Sequence, residues 1–126
     1  MRVSQLLLLL VFLPGAVLGA DYFGAIAWSP QSKVYGWAND FSSRAAAEKA
    51  AVTHCAKRAK DCQAVLWFKS ACGALAVGPK GDAGWAWAEN QPQADRSALQ
   101  ACAKHSKACT VKQRLCTGDK RAATPR

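Results

Sequence analysis

The sequence has little of what most enzyme active sites require. It contains two histidines, and its eight acidic residues include no close pair along the chain. No serine lies in a Gly-x-Ser-x-Gly elbow, and neither a phosphate-binding loop nor a dinucleotide fingerprint is present. The common nucleophile, phosphate-transfer and nicotinamide motifs are therefore excluded, and a metal centre lacks ligands. We assign no catalytic residue, no cofactor and no metal from the sequence.

The chain also lacks an apolar run long enough to span a bilayer, which takes about 20 residues. A shorter apolar run begins at Leu6 and ends before Pro14, after a positively charged start and ahead of several small residues. This pattern is typical of a secretory signal peptide. We expect cleavage after Gly19 or Ala20, which places the mature protein in the periplasm or outside the cell, without a membrane span.

All six cysteines lie in the predicted mature part of the chain. An even number of cysteines in a small exported protein predicts a disulfide framework. Cys55 and Cys62 enclose six residues, as do Cys102 and Cys109, which is wider than the spacing in structural zinc sites. Because the cysteines are expected to form bridges, we do not expect a thiol nucleophile.

The mature part carries an excess of positive charge. Without Arg2 of the signal peptide, 16 Lys and Arg stand against 8 Asp and Glu, a formal charge of +8. Such a charge influences partners and association rates rather than fold. We expect an acidic protein or an anionic envelope polymer as the partner, and we do not expect nucleic acid. The sequence leaves the oligomeric state open.

The mature chain contains an internal repeat. GAIAWSP beginning at Gly24 is matched by GALAVGP beginning at Gly73, and YGWA at Tyr35 is matched by AGWA at Ala83. The two cysteine pairs recur with equal spacing. The predicted organisation is a signal peptide at 1–20, one duplicated domain at 21–117 with repeats at 22–72 and 73–116, and a basic flexible tail at 118–126.

Each repeat is predicted to fold as strand, strand, helix, strand. Ser43 and Asn90 occupy the N-cap positions of two alanine-rich helices, and Pro92 suits a first helical turn. The few large side chains in the helices predict that they lie close on a sheet. The predicted fold class is α+β, with two ββαβ repeats forming a mostly antiparallel sheet packed by two helices and held by three disulfides. The predicted strands cover 22–28, 33–38, 63–69, 74–77, 83–88 and 110–115, and the helices end near Ala56 and Lys104.

The third strand differs between the repeats. In the first it is apolar on both faces through Val65, Leu66 and Trp67, which predicts a central strand covered on both sides, although a strand at a subunit interface would show the same pattern. In the second repeat, Lys112 and Arg114 stand at the corresponding positions. Unpaired charges are costly to bury, so we predict an edge strand facing water. The alternative is that these two cations belong to a binding face.

The repeat suggests one disulfide pairing among the 15 that six cysteines allow. A bridge in each repeat would tie a helix end to the next strand, and a third would join the two halves. The predicted pairs are Cys55–Cys62, Cys102–Cys109 and Cys72–Cys116.

Two basic loops and two tryptophans are the candidate binding residues. The first loop has a mate in the second repeat, and together they are suited to an anionic polymer. The loop cations are Lys57, Arg58 and Lys60, with Lys104 and Lys107 as their mates. Trp28 and Trp87 are the tryptophans most expected to be exposed, although burial is the default for strand tryptophans.

The combination of these landmarks resembles a bacterial exported family, domain of unknown function 4189. The matching motifs are GAIA at Gly24, YGW at Tyr35, SRAAAE at Ser43, CGALAVG at Cys72 and GWAW at Gly84, together with the other cysteines. The resemblance implies export, bacterial origin and the alanine-rich helix, and it brings no catalytic residues. The family usually keeps its last strand apolar, so the charged last strand is a departure.

The leading hypothesis is an exported, disulfide-stabilised, non-enzymatic binding protein. One concrete form is an inhibitor or immunity protein against an envelope-acting enzyme, and the basic charge favours an acidic target. One alternative is a small secreted hydrolase or toxin acting on the envelope, which would need Asp40, Glu89 or a histidine to gather in one cleft. His54 and His105 do not align between the repeats. Each lies near a predicted helix end, where a cationic ring suits the helix dipole, so we expect helix-terminal or surface histidines rather than catalytic ones. The other alternative is a binder of an anionic envelope polymer.

Overall fold

The structure, a computed structural model, describes residues 22–121. The predicted signal peptide and residues 122–126 lie outside the described part of the chain. Each repeat contributes three strands and one helix, as predicted. The elements are β1 (Phe23–Ser29), β2 (Val34–Phe41), α1 (Arg44–Ala56), β3 (Gln63–Lys69), β4 (Cys72–Val77), β5 (Ala83–Ala88), α2 (Gln91–Ala103) and β6 (Thr110–Cys116).

The strands form two antiparallel sheets with the orders β2-β1-β3 and β5-β4-β6. The α+β class, the two helices, the antiparallel pairing and the three disulfides are confirmed. The prediction of a single sheet is corrected, because each repeat closes its own three-stranded sheet. The first strand of each repeat is central and pairs with the other two.

The two sheets pack face to face, and one helix covers each outer face. In β1, Ala25 and Ala27 are buried against α1, whereas Ile26 and Trp28 face the opposite way into a core that includes Leu75 of β4. This alternation follows from the two-residue period of a strand. Small side chains therefore face the helices, and large ones fill the space between the sheets.

The helices approach the sheets closely, as their alanine-rich sequences predict. A Cβ atom on Gly36 of β2 would lie 2.3 Å from the Ala51 carbonyl oxygen of α1, and one on Gly84 of β5 would lie 2.1 Å from the Cys102 amide nitrogen of α2. The predicted caps are confirmed, since the Ser43 side chain accepts from the Ala46 amide at 3.1 Å and Asn90 plays the same part for α2.

Strand β3 is an edge strand, so its prediction as a central, doubly covered strand is wrong. Among the described residues it pairs with β1 alone. Leu66 and Phe68 are buried between the sheets, while Trp67 on the other face keeps 39% of its surface exposed beside Arg44 of α1. The apolar residues on both faces thus reflect one buried face and one exposed indole. The prediction that the last strand, β6, is an edge strand agrees with the structure.

The three disulfides join Cys55 to Cys62, Cys102 to Cys109 and Cys72 to Cys116, the pairs that the repeat suggests. The location of the third bridge differs from expectation. Cys72 is the first residue of β4 and lies opposite Cys116 of β6 in the strand register. The bridge therefore links two neighbouring strands of the second sheet rather than the two halves.

Candidate functional site: a cationic loop end

Four loops meet at one end of the molecule, which we call the loop end. They are the β1–β2 turn, the α1–β3 loop, the β4–β5 turn and the α2–β6 loop, residues 30–33, 57–62, 78–82 and 104–109. The loop end also includes Lys112 of β6, which lines a concavity beside these loops. The side chain of Lys33 lies against Gly81, so the two turns are in contact. The arrangement arises because the central strands β1 and β4 both run toward this end.

Asp61 ties the two loops of the first repeat together. Its carboxylate accepts a hydrogen bond from the Ser29 hydroxyl, and its second oxygen accepts from the Gln31 amide at 3.0 Å. The Ser29 hydrogen bond and then the Gln31 amide lower the pKa of Asp61 below its usual value. The carboxylate is therefore held in its charged form and is occupied by structural contacts.

The loop end concentrates the positive charge of the protein. Its eight exposed cations face two acidic residues, Asp61 and Asp82, so its formal charge is +6 of the +8 expected for the mature chain. Charges of one sign at one end create a local potential that steers an oppositely charged partner. The eight cations are Lys33, Lys57, Arg58, Lys60, Lys80, Lys104, Lys107 and Lys112.

Two adjoining concavities open at the loop end. The larger, of about 630 Å³, contains Lys80, Lys104 and Lys107 in its wall, and His105 also lines it. The other, of about 500 Å³, lies between the repeats and contains Lys33, Lys80 and Lys112. Because Lys80 belongs to both, they form one continuous cationic surface.

The opposite end of the molecule is largely neutralised. Ion pairs join Arg44 to Glu48 at 2.7 Å, Arg114 to Asp95 at 3.0 Å and Arg121 to Asp40 at 2.5 Å. Of the candidate cations proposed from the sequence, Lys57, Arg58, Lys60, Lys104, Lys107 and Lys112 lie at the loop end. Arg114 lies further along β6 and is engaged by Asp95.

Of the two candidate binding tryptophans, one is buried and the other is exposed. Trp28 is 5% exposed in the core between the sheets, so its prediction as an exposed binding residue is wrong; its side chain faces the second sheet rather than the turn that follows it. Trp87 is 56% exposed. It lines a groove of about 430 Å³, which we call the indole groove, together with Val65, Leu66, Trp67, Phe68, Lys69 and Trp85.

Sequence reasoning did not anticipate this groove. Trp67 and Trp85 were expected to be buried, yet they are 39% and 37% exposed. The sequence signal for this groove is the set of apolar residues on both faces of β3. The alternative interpretation of β3 as a strand at a subunit interface pointed toward the groove.

Two of the groups considered for catalysis, Asp40 and His54, take part in structural contacts. Asp40 accepts from the Gly118 amide at 2.6 Å and pairs with Arg121, which anchors residues 118–121 of the predicted tail. The Nδ1 atom of His54 lies 3.1 Å from the Trp37 amide nitrogen, consistent with accepting its hydrogen bond. Across residues 22–121, no group of three or more metal-ligating side chains could hold an ion.

The chain matches one known protein family. A family model described as Domain of unknown function (DUF4189) matches residues 23–116. The chain belongs to this family. The matched segment includes both sheets, both helices and all six cysteines. No curated protein and no solved structure matches the chain.

Proposed function

We propose that this member of the family is an exported, non-enzymatic binding protein whose partner is an acidic protein contacted by the loop end. The observation that carries the proposal is the distribution of charge. The loop end gathers eight exposed cations, five of which line its two concavities, while the three ion pairs described above lie elsewhere. Lysines that serve solubility alone need not converge from four separate loops.

The scaffold supports this interpretation. Disulfides Cys55–Cys62 and Cys102–Cys109 close the two basic loops directly at the helix ends. A loop restrained before binding loses less conformational freedom on association, which favours affinity. An inhibitor or immunity protein against an envelope-acting enzyme is the form of function that such a rigid, charged surface suits best.

The predicted location agrees with the chemistry of the chain. Disulfides persist in oxidising compartments such as the periplasm and the extracellular space. In the described part of the chain, neither helix is long and apolar enough to cross a membrane. The disulfides, together with the signal-peptide pattern, support an exported protein.

The same cationic surface also favours a second candidate, attachment to an anionic envelope polymer. Ionic strength separates the two. Contacts between exposed charges are screened over about 8 Å at physiological salt, so polymer binding should weaken steeply as salt rises. A protein complex with an apolar centre should persist.

A small secreted hydrolase or toxin is the less supported alternative. Asp40 is engaged by Gly118 and Arg121, and His54 lies at the Trp37 backbone. Alanine variants of Asp40, Glu89 and His54, assayed on envelope substrates, test it directly. Loss of a measurable hydrolytic activity in any of them would contradict a non-enzymatic role.

The experiment for the leading proposal is a pull-down from periplasm and growth medium with the oxidised mature protein. The test variant reverses two loop-end charges, Lys80→Glu and Lys107→Glu. The matched control reverses two exposed helix cations that are mates in the repeat, Lys49→Glu and Arg96→Glu, and so has the same net charge. We expect an acidic protein to be captured by the wild type and the control and lost with the test variant. Equal capture by both variants would refute the proposal.

A further inference from the structure

Strands β3 and β6 correspond to each other in the repeat and both are edge strands, but the surroundings of their outer edges differ. The edge of β6 is covered by β2 of the first sheet. The Tyr35 hydroxyl donates to the Lys112 carbonyl at 3.2 Å, and the Asn39 amide donates to the Cys116 carbonyl at 2.7 Å. Side chains from the facing sheet thus reach past this edge and satisfy its backbone acceptors.

The corresponding positions beside β3 do not cover it in this way. In the repeat, Ala83 replaces Tyr35 and has no side-chain donor. Trp87 replaces Asn39, and in the described part of the chain its indole N–H makes no hydrogen bond to a carbonyl of β3. The residue of β3 that corresponds to Lys112 is Val65. The outer edge of β3 therefore lacks the two side-chain hydrogen bonds that cover the edge of β6. The apolar indole groove lies beside this uncovered edge.

We propose that an extended segment of the acidic partner adds to the outer edge of β3 as a fourth strand, with apolar side chains resting on Trp85 and Trp87. This inference rests on the proposed function and names a second contact surface for the same partner. Strand addition supplies affinity through main-chain hydrogen bonds, while pockets for alternate side chains supply specificity. An exposed apolar edge is otherwise an aggregation hazard that proteins avoid.

The geometry favours a single strand over a second copy of the chain. Strand β5 of the facing sheet contacts β3 and lines the groove beside the edge of β3 with Trp85 and Trp87. A second copy paired through β3 would bring its own β5 into the same layer, where the two would overlap. A lone extended segment brings no second layer and fits this place.

The charges around the groove suit an acidic segment. Lys69 lines the groove, and the Arg44 guanidinium, which also pairs with Glu48, stands 4.6 Å from the ring centre of Trp67. The first residue of β3, Gln63, directly follows the loop of Lys57, Arg58 and Lys60. A partner held at the loop end can therefore continue along β3, with apolar side chains toward the indoles and carboxylates toward solvent and Lys69.

The test uses ten-residue peptides in which Glu alternates with Leu or Phe, added to the oxidised, isotope-labelled mature protein. We expect saturable chemical-shift changes and at least tenfold slower hydrogen exchange at the amides of Val65 and Trp67. Peptides with proline in place of each central Glu lack the required donors, and we expect them to bind at least tenfold more weakly. Equal binding of the proline peptides, or shifts confined to the loop end, would overturn strand addition.

A second test uses a variant in which the edge of β3 is covered in the way that the edge of β6 is. Ala83→Tyr with Trp87→Asn installs the donors that cover β6, and we expect at least a tenfold loss of peptide binding with an unchanged melting curve. Trp37→Ala, which removes a 42% exposed indole from the other side of the molecule, is the matched control and should bind as the wild type does. Unchanged binding in the closed-edge variant, or concentration-dependent dimerisation of the wild type through β3, would contradict the proposal.

The two proposals fail separately. If the loop-end charge reversals abolish capture but no peptide reaches Val65, the proposed function stands and strand addition is wrong. If peptides bind β3 while the charge reversals leave capture unchanged, the groove is a binding site and the loop end is not the partner's contact surface.

Discussion

Removing the Cys72–Cys116 bridge should destabilise the protein more than removing either of the other two. This bridge spans a sequence separation of 44 residues and encloses the second repeat, whereas the others span 7. In the chain-entropy model, closing these loops restricts the unfolded chain by about 4 kcal/mol and about 2.4 kcal/mol respectively at 25 °C. The double variant Cys72→Ala/Cys116→Ala should therefore lose about 1.6 kcal/mol more than Cys55→Ala/Cys62→Ala.

Urea unfolding at equilibrium, followed by tryptophan fluorescence, measures this difference. Each double variant removes two sulfur atoms, so the comparison tests loop length more than lost packing. The variant Cys102→Ala/Cys109→Ala should match Cys55→Ala/Cys62→Ala, since the separations are equal. A Cys72/Cys116 variant as stable as the other two would refute the reasoning, because it would mean that native contacts, and not chain restriction, set the contribution of each bridge.

Three further predictions concern packing, pH and the C-terminal segment. Gly36→Ala should destabilise the fold by about 1–3 kcal/mol in urea unfolding, because its Cβ would collide with the backbone of α1. The lowered pKa of Asp61 gives stability that is present above the usual value of 3.8 and lost as pH falls through the folded pKa, so Asp61→Asn should flatten the acid side of a melting-temperature profile. Asp40→Ala should release residues 118–121 to carboxypeptidase and cost about 0–1 kcal/mol, since its ion pair is exposed.

For each of these three predictions, one outcome would contradict the expectation. Gly118→Ala, where a Cβ would have its nearest neighbour at 3.4 Å, is the tolerated control for glycine replacement, and equal losses at Gly118 and Gly36 would disprove close helix packing. An acid profile unchanged by Asp61→Asn would show that its hydrogen bonds with Ser29 and Gln31 contribute nothing to pH stability. Unchanged digestion of the Asp40 variant would show that other contacts hold the C-terminal segment.

The local features of the fold could be predicted from the sequence because short-range chemistry determines them. The caps at Ser43 and Asn90 follow from side-chain acceptors, and the cysteine pairs from the equal spacing in two repeats. The split into two sheets could not be predicted from the sequence. The alternation of Ala25 and Ile26 is the same whether the large residues pack against a second sheet or against a layer of another kind. The misplacement of Trp28 has the same cause.

The candidate site was predictable only in pieces. The cations at Lys57 and Lys104 were recognisable as loop residues, and the repeat made them mates. Their convergence with Lys33 and Lys80 depends on the parallel course of β1 and β4, which no local pattern encodes. The open edge at β3 depends on the replacement of Tyr35 and Asn39, whose side chains cover β6, by Ala83 and Trp87 in the second repeat, and it is recognised only by comparison with the covered edge of β6.

The most direct test of the central claim is a map of where the oxidised mature protein contacts an anionic polypeptide. Backbone chemical shifts should be followed while polyglutamate is added at low ionic strength and then while salt is raised. We expect the largest shifts in the loops carrying Lys33, Lys80, Lys104 and Lys107. These shifts should disappear in the Lys80→Glu/Lys107→Glu variant and persist in the Lys49→Glu/Arg96→Glu control. Shifts spread evenly over both ends of the molecule, or equal in the two variants, would contradict the central claim.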